Sequence, residues 1–300
     1  KLDMLLGAEY ILTKANRMSN TVENFPEFFD SSMAWNFMAS GIPIAANNYY
    51  DPNDQLLSFF GRVNYDFDGR YAVSATVRTD GSSKFTVGNQ WGFFPSAAAS
   101  WTLSNESWLE DATWLDNLKL RYSYGTAGNN NVPQGVTQQM FQASATTFLA
   151  TSDIIWEPVK ADGRSTMANP DLTWETTISH NIGLDFSFFR SRINGSVEVY
   201  NNTTKDLLIQ FPTAGTGYAY QYKNLGSLQN RGLEATLNFV LVEKKNFGLT
   251  LGGNISFNQN EVTDLGGLPS IKSSSNWAST EILDDYMVTL GRPLGDMYGY

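Results

Sequence analysis

Residues 65–85 read YDFDGRYAVSATVRTDGSSKF, and this stretch decides the fold. The Asp-Gly pair is typical of a tight hairpin turn, and the alternation of apolar and polar residues after it is typical of a strand. Val73 and Val77 fall on one face of that strand, whereas Ser74 and Arg78 fall on the other. The class of protein depends on which of these two faces meets water.

The same period of two recurs along the chain, while helical periodicity is almost absent. It predicts an all-β fold with about nine antiparallel strands. The predicted strands are residues 2–13, 56–67, 70–79, 93–103, 118–124, 177–188, 192–201, 232–242 and 247–259. Asn194-Gly195 could itself form a turn, which leaves the boundary near residue 192 open.

Short and long connections alternate between these strands. The short ones are DFDGR, FRSR and EKKN, with a somewhat longer link at 104–116. The long ones are residues 14–55, 80–91, 129–173, 203–222 and 260–290. Tight turns at one end and large loops at the other are the layout of a transmembrane β-barrel with short periplasmic turns and long extracellular loops.

Composition excludes several other classes. The net charge of −10 and the lack of a basic cluster argue against nucleic-acid binding. The absence of cysteine excludes disulfide frameworks and cysteine-ligated metals. Only 17% of residues are charged, against about 25% in soluble domains. No apolar run is long enough for a membrane helix.

Two architectures suit the alternation. In a soluble sandwich the apolar faces pack together, whereas in a membrane barrel they meet lipid and the polar faces line the lumen. Long strands, aromatic residues near strand ends and uncharged apolar faces favour the barrel. The polar residues predicted to face the lumen are Arg62, Arg78, Lys119, Arg121, Asp185, Glu198 and Glu234. The alternative is a soluble or secreted β-rich carbohydrate-binding module or adhesin.

Several blocks resemble the TonB-dependent outer-membrane receptors of the SusC/RagA type. They are LLSFFGRVNYDFDGRYAVSATVRTDGSSKF, WGFFPSAAASWTLSNESWL, WLDNLKLRYSYGTAGNNN, NPDLTWETTISHNIGLDFSFF, RINGSVEVYNNTTKDLLI, NLGSLQNRGLEATLNF and GRPLGDMYGY. They follow the family's order from about residue 55 to residue 300, while residues 1–54 resemble it only weakly.

This resemblance implies a barrel of about 22 strands with a plug inside it, in the bacterial outer membrane. Such receptors import large nutrients, oligosaccharides or in some members peptides, with energy from the TonB complex and a SusD-like surface lipoprotein as a lid. Residues 1–300 would then be part of the barrel domain, because the sequence contains no recognisable plug or signal peptide.

No enzymatic site is predicted. His180 is the only histidine, and its place on an apolar face indicates packing rather than catalysis. Asp51, Asn53 and Asp54 lack the further ligands of a calcium loop. The carboxylates of EILDD, residues 281–285, leave calcium in an extracellular loop as an open alternative; no other cofactor or metal is expected.

The long loops are the predicted place of substrate contact. Aromatic rings stack on the C–H faces of sugars, and amides hydrogen-bond to hydroxyl groups. Candidates of these two types for contact with a glycan or peptide are Asn129, Asn130, Asn131, Trp156, Tyr218, Tyr220 and Trp277.

Overall fold

The chain is described from a computed structural model. The described residues are 1–50, 53–139, 141–144, 155–158, 160–161, 164–273 and 285–298. Their main element is one nine-stranded antiparallel sheet. Within these ranges, no helix combines the length and the apolar character that crossing a membrane requires.

We number the strands of this sheet in chain order. They are β1 Leu2–Thr13, β2 Asp54–Phe67, β3 Tyr71–Ser82, β4 Trp91–Thr102, β5 Leu115–Asn129, β6 Glu175–Phe188, β7 Ile193–Lys205, β8 Ser227–Lys244 and β9 Phe247–Asp264. Each strand pairs antiparallel with the next one along the chain, so the sheet is a simple meander. The predicted all-β meander is confirmed.

The largest errors lie at strand ends. β5 was predicted as 118–124 and β8 from residue 232, but β5 spans Leu115–Asn129 and β8 begins at Ser227. The extra residues are largely polar or glycine, as in Ser227-Leu228-Gln229-Asn230. Apolar alternation therefore underestimates strands that continue beyond their apolar stretch.

The predicted alternation of connections is confirmed, except that the loop-side connection at 83–90 is shorter than the link at 103–114. β2 and β3 are joined at Asp68-Gly69, which have φ of 56° and 62°, as a type I′ turn requires. The Asp66 carboxylate accepts a hydrogen bond of 3.1 Å from the Gly69 N–H and so holds this turn. The turn between β6 and β7 runs through residues 189–192, so Asn194-Gly195 lies inside β7.

The long loops contain short elements that the sequence did not predict. Antiparallel pairings among the described loop residues link Asn16–Glu23 with Ile42–Tyr50, Phe141–Ser144 with Ile155–Pro158, Lys160–Ala161 with Arg164–Met167, Leu208–Pro212 with Tyr220–Asn224, and Ser270–Ser273 with Tyr286–Thr289. Arg164–Met167 also pairs in parallel with Tyr220–Asn224. In the described part of the chain the helical elements are α1 Ser31–Asn36 and two 3₁₀ turns, Met38–Ser40 and Leu103–Asn105.

The two faces of the sheet differ in chemistry. We call the face that carries Val73 the outward face and the face that carries Arg78 the inward face. Val73, Ile182 and Leu237 on the outward face are 50%, 54% and 38% exposed. Apolar side chains thus form a continuous layer with no second sheet or helix against it among the described residues.

The apolar layer is a band that runs obliquely across the strands. The register places Tyr65 of β2 and Phe257 of β9 in one row across the sheet. On β9 the band ends on the loop side at Phe257. On β2 the band continues from Tyr65 toward the loops as far as Leu57, about eight residues away along the strand. At about 3.3 Å per residue and about 4.8 Å per strand spacing, this shift corresponds to a strand tilt of about 40°. Strands of outer-membrane barrels tilt by about 35–45°.

The compact core lies under the long loops rather than behind the sheet. It consists of Phe85, Phe94, Val132, Val136, Leu172, Trp174, Tyr220 and Tyr222, with Leu56 and Leu208 packed against it. We call it the loop core. It joins the loop-side ends of the strands to the loops after β3, β5 and β7.

Candidate lumen-lining face and loop end

All seven polar residues predicted to face the lumen lie on the inward face. Arg62 and Arg78 are on β2 and β3, and the Arg62 Nε donates a hydrogen bond of 3.0 Å to Thr76. The others form a group on the middle strands, with Lys119 and Arg121 on β5, Asp185 on β6, Glu198 on β7 and Glu234 on β8. Glu234 is directly opposite Glu198.

Arg121 connects three neighbouring strands. Its Nε and Nη2 donate hydrogen bonds of 2.7 and 2.8 Å to the two carboxylate oxygens of Asp185. Nη2 also donates a bond of 2.8 Å to Glu198, whose other oxygen accepts one of 3.1 Å from Asn181. These charges are partly exposed, and charges of opposite sign pair across neighbouring strands. The inward face is therefore polar and carries both positive and negative charge.

Gly183 makes this contact across the wall possible. It lies between Arg121 and Glu198 in the register of the three strands. A Cβ atom at this position would be 2.8 Å from Arg121 Nη2. The guanidinium therefore lies over the bare backbone of Gly183 to reach Glu198 on the next strand.

Arg78 forms a second cluster nearer the loops. Its Nε donates a hydrogen bond of 2.8 Å to Asp80, and Nη2 donates to Ser58 at 2.9 Å and to Glu9 at 3.1 Å. The guanidinium carbon is 5.5 Å from the centre of the Phe60 ring. Arg121 also lines a groove of about 320 Å³, whose other lining residues include Asn64, Ser74 and Ser123.

The predicted substrate residues at 129–131 have different surroundings. Asn129 donates a hydrogen bond of 3.0 Å to Glu175, and Asn130 donates one of 2.9 Å to Ser82. Both side chains therefore hold the start of the loop to its neighbours. Asn131 is exposed, and its N–H is bonded to Asn129.

Two of the predicted aromatic contacts, Tyr218 and Tyr220, have side chains that the structure describes. Tyr220 is 4% exposed and packs edge-on against Tyr222 in the loop core, so its ring is not accessible as placed. Tyr218 is half-buried in the loop between Leu208–Pro212 and Tyr220–Asn224. Trp156 lies in the strand Ile155–Pro158, and Trp277 lies outside the described residues.

His180 lies on the outward face, as predicted. Its Nδ1 is 3.0 Å from the hydroxyl of Tyr122, and its ring is 5.2 Å from that of Tyr124. Over the ranges that the structure describes, no three carboxylate or histidine side chains are grouped to hold a metal ion. Asp51, Glu281 and Asp284 lie outside these ranges.

A buried carboxylate at the short-turn end was missed from sequence. Glu106, in the link between β4 and β5, is 9% exposed. It accepts hydrogen bonds of 2.6 Å from the Tyr71 hydroxyl and 2.9 Å from Trp101 Nε1, and these two rings stack 6.2 Å apart. The bond from Tyr71, followed by that from Trp101, lowers the pKa of the Glu106 carboxyl below its usual value. The only sequence signal was a Glu close to a strand with Trp101 near its end.

Residues 5–291 match the family model described as TonB dependent receptor-like, beta-barrel. The chain is 35% identical over 224 residues to the TonB-dependent receptor SusC of Bacteroides thetaiotaomicron, which covers 73% of this chain. It is 32% identical over 246 residues to a TonB-dependent receptor of Formosa agariphila, covering 82% of this chain.

Solved structures agree with these relatives. The chain resembles a structure of the RagAB peptide transporter with a TM-score of 0.80 and 27% identity, over 97% of this chain and 30% of that one. A structure of the RagAB peptide importer in a closed-closed state gives a TM-score of 0.78 at 25% identity, again over 97% of this chain and 30% of that one. The matched part is 22% of the length of each of the two curated relatives.

Proposed function

Because the chain belongs to the TonB-dependent receptors of the SusC/RagA type, we propose that it forms part of the barrel wall of a nutrient importer in the bacterial outer membrane. The observation that carries this proposal is the sidedness of the tilted sheet. An uncharged apolar band faces outward, and paired charges face inward. A wall of this kind separates lipid from an aqueous lumen.

The proposed cargo is a large nutrient, either an oligosaccharide or a peptide. The similar proteins support both cargo classes, because one relative is named SusC and the solved neighbours are named for peptide import. The exposed amide of Asn131 and the half-buried ring of Tyr218 are the described loop groups best suited to contact either cargo. Trp156 and Trp277 are proposed as further aromatic contacts.

Two partners follow from the same proposal. A SusD-like surface lipoprotein would cover the loops, and the TonB complex would supply energy through a plug domain. The loop core supports the first of these, since packed loops offer a partner a surface that is already ordered. Calcium bound by carboxylates of residues 281–285 would be a further aid to loop order.

An uptake assay tests this function. Cells that carry the intact receptor would be given fluorescent oligosaccharide and peptide pools, with deletion of the receptor and of TonB as references. Import should stop in both deletions, and the double variant Asn131→Ala/Tyr218→Ala should lower it. Asn246→Ala is the matched control, because Asn246 is exposed in the turn at the opposite end of the sheet. Import that survives both deletions would reject the proposal.

The alternative from another class, a secreted carbohydrate-binding module or adhesin, has a simple test. A secreted module would remain in buffer when cell envelopes are washed, whereas a wall with this outward face requires detergent for extraction. Recovery of the intact protein in the buffer wash would favour the module.

A further inference from the structure

A polar cluster lies on the outward face just beyond the apolar band. It consists of Asn201 on β7, Gln229 and Arg231 on β8, and Gln259 on β9, and we call it the rim cluster. Asn201, Arg231 and Gln259 form one row across the three strands. The next row toward the short turns is Val199, Leu233 and Phe257, which are 51%, 38% and 61% exposed.

Hydrogen bonds within the cluster hold the Arg231 side chain in place. Its Nε donates a hydrogen bond of 3.1 Å to Gln259 Oε1, and Gln229 donates one of 2.9 Å to Asn201. Arg231 Nη2 is 3.7 Å from a carboxylate oxygen of Glu261. The Arg231 side chain is 52% exposed, so the guanidinium, with its five N–H donors, keeps donors directed away from the protein.

The position of Arg231 is unusual for this face. Across the apolar band of β1 to β9 the outward positions carry no Asp, Glu, Lys or Arg. At the loop-side edge of β1 and β4 the band ends in aromatic rings, with Tyr10, Trp91 and Phe93 at least half exposed. On β7 to β9 it ends instead in amides and a guanidinium.

Membrane physics limits what can contact such a group. A side chain one row beyond hydrocarbon lies at the level of the lipid headgroups, where phosphates are the principal anions. A guanidinium presents paired N–H donors that match the oxygens of a phosphate. β7 and β8 are paired on both sides, so their outward residues face the bilayer however the rest of the barrel is built.

We propose that the rim cluster binds the phosphate of a lipid headgroup in the outer leaflet, with Arg231 as the phosphate ligand. Asn201 and Gln229 would offer amide groups to the neighbouring polar atoms of the headgroup, and Gln259 would hold the guanidinium at the level of the phosphate. The inference rests on the membrane placement of the wall and is independent of the imported cargo.

Lipid retention measures this contact. The intact receptor would be purified from nanodiscs of phosphatidylcholine doped with bisphosphorylated lipid A, and the retained lipid counted by native mass spectrometry. Arg231→Gln should lower retention about fivefold, the size expected for one basic residue at a lipid surface. Arg62→Gln, which removes an exposed arginine from the inward face, should leave retention unchanged.

Further arms make the outcome decisive. Glu261→Gln removes the carboxylate beside Arg231 and should raise retention, and lipid A without phosphates should be retained equally by all variants. Heat-modifiable mobility on gels reports that each variant is folded. Equal retention in Arg231→Gln and the unsubstituted receptor, an equal loss in Arg62→Gln, or displacement of the lipid by millimolar inorganic phosphate would overturn the proposal.

Discussion

Phe93 and Phe94 are neighbours in the chain, yet they belong to opposite regions of the molecule. Phe93 points outward and is 65% exposed, while Phe94 is 7% exposed and packs against Trp174 in the loop core. The same contrast separates Trp91, which is 52% exposed, from Trp174, which is 9% exposed. The same side-chain types occur in both regions. What differs is the face of the sheet and the end of the strand on which each side chain lies.

The two regions therefore depend on different surroundings. The wall has no protein core among the described residues and gains apolar burial only when lipid covers its outward face. The loop core buries its aromatic residues within the protein. Substitutions that disturb one region should therefore leave the other intact.

The largest effect is expected for Trp174→Ala. The indole packs against Phe85 and Phe94, and its Nε1 donates a hydrogen bond of 2.9 Å to the carbonyl of Gln90. Loss of a buried Trp costs about 3–5 kcal/mol. We expect proteolysis within the loops of the intact receptor while the sheet stays resistant. Trp91→Ala is the control and should leave the loops protected; cleavage of the sheet in Trp174→Ala would show that the regions are coupled.

The next effect concerns the wall. Leu237 lies near the middle of the apolar band on β8, between Leu233 and Leu241. Arginine on the lipid face near the bilayer centre costs about 2–4 kcal/mol, so Leu237→Arg should lower the denaturant midpoint of the receptor in lipid vesicles. Thr236→Arg places the same charge on the adjacent inward position and should cost much less. Equal losses would mean that the band does not face hydrocarbon.

Sequence reasoning succeeded for the wall because its rule is local. Alternation of Val73 with Ser74, or of Leu120 with Arg121, is visible in a few residues and fixes strand and face together. The loop core was missed because its members, such as Phe85, Leu172 and Tyr222, come from distant segments with no shared period. Tyr220 was proposed for substrate from its residue type alone, and only tertiary packing reveals that it is buried.

A smaller effect is expected inside the wall, at Gly183. A methyl group there would displace the Arg121 guanidinium, since its Cβ would be 2.8 Å from Nη2. Gly183→Ala should therefore weaken the contact with Glu198 and destabilise the sheet by about 1 kcal/mol, the scale of a partly exposed ion pair. Gly125→Ala is the matched control, because its Cβ would meet only Ser96 at 3.5 Å. Unfolding in detergent compares the two, and equal stabilities would remove the role given to Gly183.

The smallest effect appears only in acid and concerns the short-turn end of the wall. Hydrogen bonds from Tyr71 and Trp101 lower the pKa of Glu106 below its usual value, so the folded link favours the carboxylate. This stabilisation is present at neutral pH and is lost as the pH falls through the folded-state pKa. Glu106→Gln should therefore remove part of the acid sensitivity seen in the fluorescence of the nearby tryptophans.

Glu110→Gln provides the comparison for this titration, because Glu110 lies exposed in the same link. It should keep the acid transition of the unsubstituted receptor. Protection of the loop core against proteolysis, measured in the same samples, should not change with Glu106→Gln. The Glu106 carboxylate lies at the opposite end of the strands. If Glu106→Gln leaves the acid transition unaltered, that transition belongs to other carboxylates.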